Sequence, residues 1–160
     1  MNDKSYRKNV GLIVLNQENQ LLVCRRKDQQ TWQFPQGGID TGESPRAAAH
    51  RELFEEVGIK QKDVEIIQKS SHWYHYDLPK KYQKRSESMK RFKGQTQKWF
   101  LFKARTKLEI NLLNEVEQEF VDHKWVSFWY PLSHIVPFKK DVYAKVLNEF
   151  LPTYIAIAND

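Results

Sequence analysis

Apolar residues along this chain form short runs in most places and change to a helical spacing in two. The short runs predict strands at 9–15, 20–26, 64–69, 71–78, 97–103 and 124–128, with a short extended piece at 32–35. Residues 16–19 separate the first two runs and predict a hairpin. Helical spacing appears at about 45–57 and at about 141–150. Strands interleaved with helices predict an α/β fold.

Local signals define the first helix at both ends. Ser44 suits the N-cap, Pro45 suits the first helical position and Gly58 suits the residue that ends the helix. Glu43 precedes the helix and Arg51 lies two turns inside it, so we expect these side chains to pair across the turn.

Three acidic residues of this helix, Glu52, Glu55 and Glu56, share one face, because positions i, i+3 and i+4 are neighbours on a helix. Like charges at this spacing destabilise a helix, unless a cation binds them. Hard cations such as Mg²⁺ take carboxylate oxygens together with substrate phosphates. The pattern therefore predicts metal-assisted chemistry on a phosphate chain. The alternative is an acidic helix face that water alone solvates.

Composition limits the class of protein. The 160 residues, 40% of them hydrophobic, predict a single folded domain over 1–160. No apolar run is long enough to cross a membrane, and the polar N-terminus lacks a signal-peptide core. The single cysteine, Cys24, cannot form an internal disulfide, which suits a reducing compartment. We expect it to be a small core residue. We expect a cytoplasmic monomer without a membrane contact.

The net charge of +6 comes from one stretch. Residues 80–93 hold seven basic residues and one acidic residue, and the other 19 basic and 19 acidic residues balance. Two interpretations stay open for this basic loop segment. It binds RNA or another polyanion, or it is a solvated loop. The candidate RNA contacts within it are Lys84, Arg85, Lys90 and Arg91. Residues 151–160, uncharged over most of their length, predict a short C-terminal tail.

The sequence from 37 to 59 resembles the Nudix box, G-x5-E-x7-R-E-U-x-E-E-x-G-U, where U is aliphatic. The matching residues are Gly37, Glu43, Arg51, Glu52, Leu53, Glu55, Glu56, Gly58 and Ile59, at every spacing of the pattern. The resemblance implies an α/β/α sandwich on a mixed sheet. It also implies structural roles within the motif for Glu43, Arg51 and Gly58.

Segments outside the box narrow the resemblance to the bacterial RNA pyrophosphohydrolases, which overlap with dinucleoside polyphosphate hydrolases. They are YRKNVG at 6–11, WQFPQGG at 32–38, KWFL at 98–101, WVSFWYP at 125–131 and FKKDVY at 138–143. The implied activity removes pyrophosphate from 5′-triphosphorylated or diphosphorylated RNA, leaving a monophosphate that promotes mRNA decay. Hydrolysis of dinucleoside polyphosphates is the alternative activity. A non-catalytic RNA-binding module is the alternative of another class.

The resemblance also implies a set of site residues. Implied ligands of Mg²⁺, or of Mn²⁺ in its place, are Gly37, Glu52, Glu55, Glu56 and Glu119. Implied phosphate contacts are Arg7, Arg26 and Lys139. Implied contacts to the 5′ nucleotides are Thr31, Tyr76, Val136 and Phe138. The general base stays open between Glu56 and Glu119, because the choice depends on distance to the attacking water. For the residues outside the box, ordinary surface or core roles remain the competing interpretation.

Overall fold

The computed structural model describes residues 5–83, 92–114 and 118–160. The strands are β1 Ser5–Leu15, β2 Leu21–Arg26, β3 Gln36–Gly38, β4 Val64–Lys69, β5 Tyr74–Asp77, β6 Phe92–Ala104 and β7 Phe120–Val126. The α-helices are α1 Pro45–Val57, α2 Lys80–Gln83, α3 Tyr130–His134 and α4 Lys140–Ala158. Single turns of 3₁₀ helix lie at Gln61–Asp63 and Pro137–Lys139.

The strands form one mixed sheet in the order β4-β6-β1-β2-β7, with β3 paired to β1 and β5 paired to β6. The long strands β1 and β6 run parallel to each other, and the other pairs are antiparallel. The hairpin predicted at 16–19 joins β1 to β2 and is confirmed. Its Asn16 side chain accepts hydrogen bonds from the backbone N–H groups of Glu18 and Gln20 at 3.0 and 2.9 Å.

Alternating residues of the central strands divide the apolar core into two layers. Val10, Leu12 and Val14 of β1 lie with Leu53 of α1 in one cluster, the α1-side core. Ile13 and its neighbours on the opposite face pack with residues of α4 in the other cluster, the α4-side core. This division follows from the two-residue repeat of a strand. The α/β/α sandwich predicted from the sequence is therefore confirmed.

Local capping explains where α1 begins and ends. The hydroxyl of Ser44 accepts a hydrogen bond from the N–H of Ala47 at 3.1 Å. Gly58 adopts a φ of 74°, which favours glycine, and its N–H donates to the carbonyl of Phe54 at 2.9 Å. The helix predicted at 45–57 is confirmed at both ends.

The C-terminal helix is longer than predicted. Residues 151–160 were expected to form a tail after a helix at 141–150, but α4 continues to Ala158 through Pro152. A proline inside a helix removes one hydrogen bond. Leu151, Tyr154 and Ile157 pack against the α4-side core, and this burial favours continuation of the helix.

Two other expectations change in detail, and a third is confirmed. The extended piece expected at 32–35 is a bridge from Gln33 to Cys24 followed by β3. β6 begins at Phe92, inside the basic segment, and Lys80–Gln83 forms α2. Cys24 is fully buried in the α1-side core, as expected for a small core residue. Within the described ranges, every helix is too short or too polar to cross a membrane.

Candidate active site

Two of the three acidic residues on α1 are buried against β3. Glu52 is 8% exposed and Glu56 is 4% exposed. The backbone N–H of Gln36 donates to Oε2 of Glu56 at 3.2 Å. A Cβ atom placed on Gly37 would lie 2.0 Å from Cδ of Glu52, so this carboxylate fills the space that a side chain at position 37 would need. The two carboxylates thus lie beside the backbone of one short strand.

Arg51 connects the acidic residues of the motif to one another. Its Nε and Nη2 atoms donate to the two carboxylate oxygens of Glu43 at 2.8 and 2.9 Å, which is the pair expected from the sequence. Its Nη1 atom donates to Glu52 at 2.9 Å and to Glu55 at 3.1 Å. Its Nη2 atom also donates to the carbonyl of Gly38 at 2.9 Å. Arg51 therefore fixes the loop before α1 relative to the helix.

The charge of Arg51 changes the titration of its partner. Hydrogen bonding to the Arg51 guanidinium lowers the pKa of Glu43 to about 2. The same hydrogen bond raises the pKa of Arg51. Glu43 therefore stays ionised at every pH at which the protein is expected to work.

The buried pair of Glu52 and Glu56 fits a hard divalent cation by the chemistry of its donors. Carboxylate oxygens beside a glycine backbone match the preference of Mg²⁺ for oxygen ligands. Over residues 5–83, 92–114 and 118–160, however, no three His, Cys, Asp or Glu side chains are grouped closely enough to hold a metal ion. Glu55 is turned to Arg51 with 42% of its side chain exposed. Glu119 pairs instead with Arg26 at 3.0 Å.

A cavity of about 570 Å³ lies at one end of the sheet and reaches the buried acids through Gln36, which lines the cavity while its backbone N–H binds Glu56. Its lining consists of Arg7, Arg26, Gln29, Gln30, Thr31, Gln33, Gln36, Tyr76, Leu78, Gln95, Glu119, Val136, Phe138 and Lys139. Eight of these were selected from the sequence as contacts to phosphates, nucleotides or metal. They are Arg7, Arg26, Thr31, Tyr76, Glu119, Val136, Phe138 and Lys139. They are spread between positions 7 and 139 of the chain, and the fold brings them to one cavity.

Lys139 is the most deeply placed cation of the cavity, with 7% exposure. Its ammonium donates to the side-chain oxygen of Gln33 at 3.2 Å and lies 5.6 Å from the ring centre of Tyr76. Burial, with a contribution from the charge of Arg26, lowers the pKa of Lys139 to about 7. A buried ammonium that is incompletely compensated attracts an anion.

The cavity combines positive charge with aromatic rings. Arg7, Arg26 and Lys139 provide three cations, and Glu119 is the carboxylate in the lining. The rings of Tyr76 and Phe138 are tilted at 45° with centres 5.7 Å apart. Such a lining suits a polyanion that carries a flat base.

Several neutral amides of the cavity were not selected from the sequence. Gln36 is the clearest case, because its backbone holds Glu56 while its side chain lines the cavity. Its side-chain oxygen accepts from Gln97 at 2.7 Å, and Gln97 also donates to Asn9 at 2.9 Å. The signal was its place inside the motif WQFPQGG, directly before the two glycines.

The basic candidates Lys84, Arg85, Lys90 and Arg91 lie outside the described residues. Their expected contact with RNA therefore stays a prediction.

Comparison with known proteins agrees with this geometry. A family model described as "NUDIX domain" matches residues 5–149. An RNA pyrophosphohydrolase of Pseudoalteromonas translucida is 49% identical over 150 residues, which cover 93% of this chain and 87% of that protein. An RNA pyrophosphohydrolase of Yersinia enterocolitica is 43% identical over 158 residues, covering 98% of this chain and 90% of that protein.

Solved structures share the fold at low sequence identity. The E. coli dihydroneopterin triphosphate pyrophosphohydrolase superposes with a TM-score of 0.67 at 19% identity, covering 91% of this chain and 99% of that one. A C. elegans Ap4A hydrolase in a binary complex gives a TM-score of 0.63 at 18% identity, covering 91% of this chain and 98% of that one. At such identities these matches establish the fold alone.

Proposed function

This chain belongs to the NUDIX family, and from that premise we propose that it removes pyrophosphate from the 5′ end of triphosphorylated or diphosphorylated RNA. The observation that carries the proposal is the cavity, because eight side chains that the resemblance had indicated line it together, beside the buried acids of α1. Relatives named RNA pyrophosphohydrolase match nearly the whole chain, which supports the choice of RNA as substrate.

Divalent cations typically serve this family, and we propose Mg²⁺, or Mn²⁺ in its place, as the cofactor. Glu52 and Glu56 would hold it, together with the carbonyl of Gly37, Glu55 and Glu119. When bound, the cation offsets negative charge on the phosphate oxygens and lowers the pKa of a bound water. Arg51 holds Glu52 and Glu55 by direct hydrogen bonds and so limits where these carboxylates can move.

The cations of the cavity are proposed to bind the 5′ phosphate chain. Phosphoryl transfer depends mainly on positioning and electrostatic stabilisation, so Arg7, Arg26 and Lys139 would contribute as much as a base. An incoming phosphate would restore the charged form of Lys139, whose pKa is about 7 because of burial. Arginine adds a planar fork that meets phosphate oxygens in pairs.

Recognition of the first nucleotides is proposed for Tyr76 and Phe138, with Thr31 and Val136 beside them in the lining. The facing rings provide an apolar surface on which a base can stack. Glu56 and Glu119 remain the two candidates for the general base. Glu56 is buried against Gln36, whereas the Glu119 side chain is 38% exposed and paired with Arg26.

A dinucleoside polyphosphate is the second candidate substrate, because the same cations and rings would accept its phosphate chain and one of its bases. A non-catalytic RNA-binding module explains the cavity but gives no reason to bury two carboxylates on α1. Burying charged groups is costly unless they are used or compensated.

The decisive experiment measures kcat/KM with Mg²⁺ on triphosphorylated RNA and on diadenosine tetraphosphate. We expect kcat/KM on the RNA to exceed kcat/KM on diadenosine tetraphosphate, and Glu52→Gln to lower both by about 100-fold or more. Glu65→Gln is the matched control, since the Glu65 side chain is 53% exposed beside Arg105. Unchanged turnover by Glu52→Gln would remove the acids of α1 from the mechanism, and binding without turnover by the wild type would favour the non-catalytic module.

We also propose that residues 1–160 form a single domain that acts as a monomer in the cytoplasm. The single cysteine supports this compartment, because Cys24 has no second cysteine in the sequence with which to form a disulfide. Light scattering of the purified protein tests the monomer.

A further inference from the structure

Beyond the cavity, the opposite face of the sheet carries a group of lysine and aromatic side chains. We call it the basic-aromatic strip and define it as Tyr6, Lys8, Trp73, His75, Lys93 and Lys98. It lies on β1, β5, β6 and the turn before β5. Trp73 is 39% exposed, which is unusual for so large an apolar side chain.

Strand alternation places the strip on the other side of the sheet from the cavity. Arg7 of β1 and Tyr76 of β5 line the cavity. Their chain neighbours Tyr6 and His75 point to the opposite face, because successive side chains of a strand alternate. The two rings confirm this by meeting there, with centres 4.7 Å apart. Lys93 is two residues from Gln95, which lines the cavity, but the β1–β6 register shifts between Ser5 and Tyr6 because β6 holds one extra residue there. This shift takes Lys93 out of the alternation and lets its ammonium lie over the ring of Tyr6.

Tyr6 and Trp73 of the strip each have lysine ammonium groups close to their rings. The ammonium of Lys93 lies 4.7 Å from the ring centre of Tyr6. Those of Lys8 and Lys98 lie 5.9 and 6.0 Å from the ring of Trp73. In the described part of the chain, no carboxylate forms an ion pair with these three lysines. Their charge is therefore available to an external anion.

The strip and the cavity meet at the end of the sheet where β1 and β6 begin. Leu78 lines the cavity, and its N–H donates to the carbonyl of Lys93 at 2.8 Å. Asp77 lies beside the strip, and its carboxylate already accepts a hydrogen bond from the hydroxyl of Tyr6 at 2.6 Å. A chain that leaves the cavity past Leu78 would reach a surface of lysines and exposed rings.

We propose that the basic-aromatic strip binds the single-stranded body of the RNA whose 5′ end enters the cavity. The proposal rests on the proposed function for the identity of that RNA. Lysines meet the phosphates, and Trp73 and Tyr6 stack on bases, which is the combination that single-stranded nucleic acid requires. An acidic protein would use the lysines but would gain little from the exposed rings.

The test compares a triphosphorylated dinucleotide with a triphosphorylated, unstructured RNA of about 20 nucleotides. The strip variant carries Lys8→Gln, Lys93→Gln and Lys98→Gln. The control variant carries Lys62→Gln, Lys107→Gln and Lys145→Gln, which removes the same charge from exposed positions elsewhere. We expect the strip variant to lose kcat/KM on the long RNA and to retain it on the dinucleotide, whereas the control variant changes neither.

Binding gives a second readout that needs no turnover. The affinity for a 5′-monophosphorylated RNA of the same length is measured at several salt concentrations. Removing three phosphate contacts should make the slope of log K against log salt shallower by about 2, since each contact to single-stranded nucleic acid contributes about 0.7. Trp73→Ala should weaken binding about fivefold or more, and Trp129→Ala, at a residue of similar exposure, should not.

Equal losses in the strip and control variants, or an unchanged salt slope, would overturn the proposal. So would equal losses on the dinucleotide and the long RNA, because that pattern means damage to the cavity. Thermal melts confirm that each variant folds. The proposed function fails separately, if the wild type turns over neither triphosphorylated substrate, and the binding of monophosphorylated RNA then still tests the strip.

Discussion

Replacing Gly37 by alanine tests how closely the first strand residue of the motif approaches the acids of α1. The added Cβ would lie 2.0 Å from Cδ and 2.2 Å from Oε2 of Glu52, whereas ordinary contact begins at 3.4 Å. The carboxylate must therefore move by more than 1 Å. It has little room, because its side chain is 10% exposed and Arg51 binds it at 2.9 Å. Gly37 has no positive φ, so the backbone itself accepts alanine.

Two quantities should change in Gly37→Ala. Overpacking of this kind costs about 1–3 kcal/mol of unfolding free energy. A displacement of about 1 Å at a reacting centre lowers the rate by about 100-fold, so we expect kcat/KM on triphosphorylated RNA to fall by this factor. Urea unfolding measures the first quantity, and pyrophosphate release measures the second.

Double-mutant cycles with Glu52 separate the two effects. In a Glu52→Ala background the colliding atoms are gone, so Gly37→Ala should cost almost no stability. In a Glu52→Gln background the shape is kept, so the stability cost remains while the further loss of rate becomes small. A full additional loss of about 100-fold in rate in the Glu52→Gln background would show that Gly37→Ala acts without Glu52, contrary to this prediction.

Other substitutions probe the charges and rings of the site. In the folded protein the pKa of Lys139 is about 7, below the ordinary 10.5, so the unfolded chain binds more protons between about pH 7 and 10.5 and the free energy of unfolding rises with pH there. Lys139→Met should abolish this rise. Urea melts with a metal chelator present measure it, and an equal slope of unfolding free energy against pH in both proteins would contradict the prediction. Glu43→Gln should flatten the acid limb of stability, since the contribution of the Arg51 pair is present above pH 4.5 and is lost as the pH falls through about 2; acid titrations of unfolding that run parallel for variant and wild type would exclude this. Phe138→Ala should raise KM for RNA by a factor equivalent to about 1–3 kcal/mol, because a base loses its stacking partner beside Tyr76. A change in kcat alone would contradict that role in steady-state assays.

Features that depend on neighbouring residues could be predicted from the sequence alone. The bounds of α1 followed from Ser44, Pro45 and Gly58, because caps act within one turn of the helix end. The pair of Glu43 with Arg51 followed in the same way from their separation. The resemblance to known motifs added the candidate cavity residues, but it could not state their geometry.

Which acids of α1 are buried depends on how the sheet packs against the helix. Glu52 and Glu56 face β3, whereas Glu55 is turned toward Arg51 and solvent. Three acids on one helix face look equivalent in the sequence, and their burial depends on the direction from which the sheet covers the helix. The pairing of Arg26 with Glu119, 93 residues apart, likewise has no local signal.

The extent of α4 and the basic-aromatic strip were also decided by long-range packing. Pro152 indicates a helix end locally, but the burial of Tyr154 against the α4-side core outweighs that signal. Lys8 and Lys98 are distant in the chain and meet over Trp73 only because β1 and β6 run parallel. Local chemistry thus specified the elements and the reactive residues, whereas contacts between distant strands fixed where these residues meet.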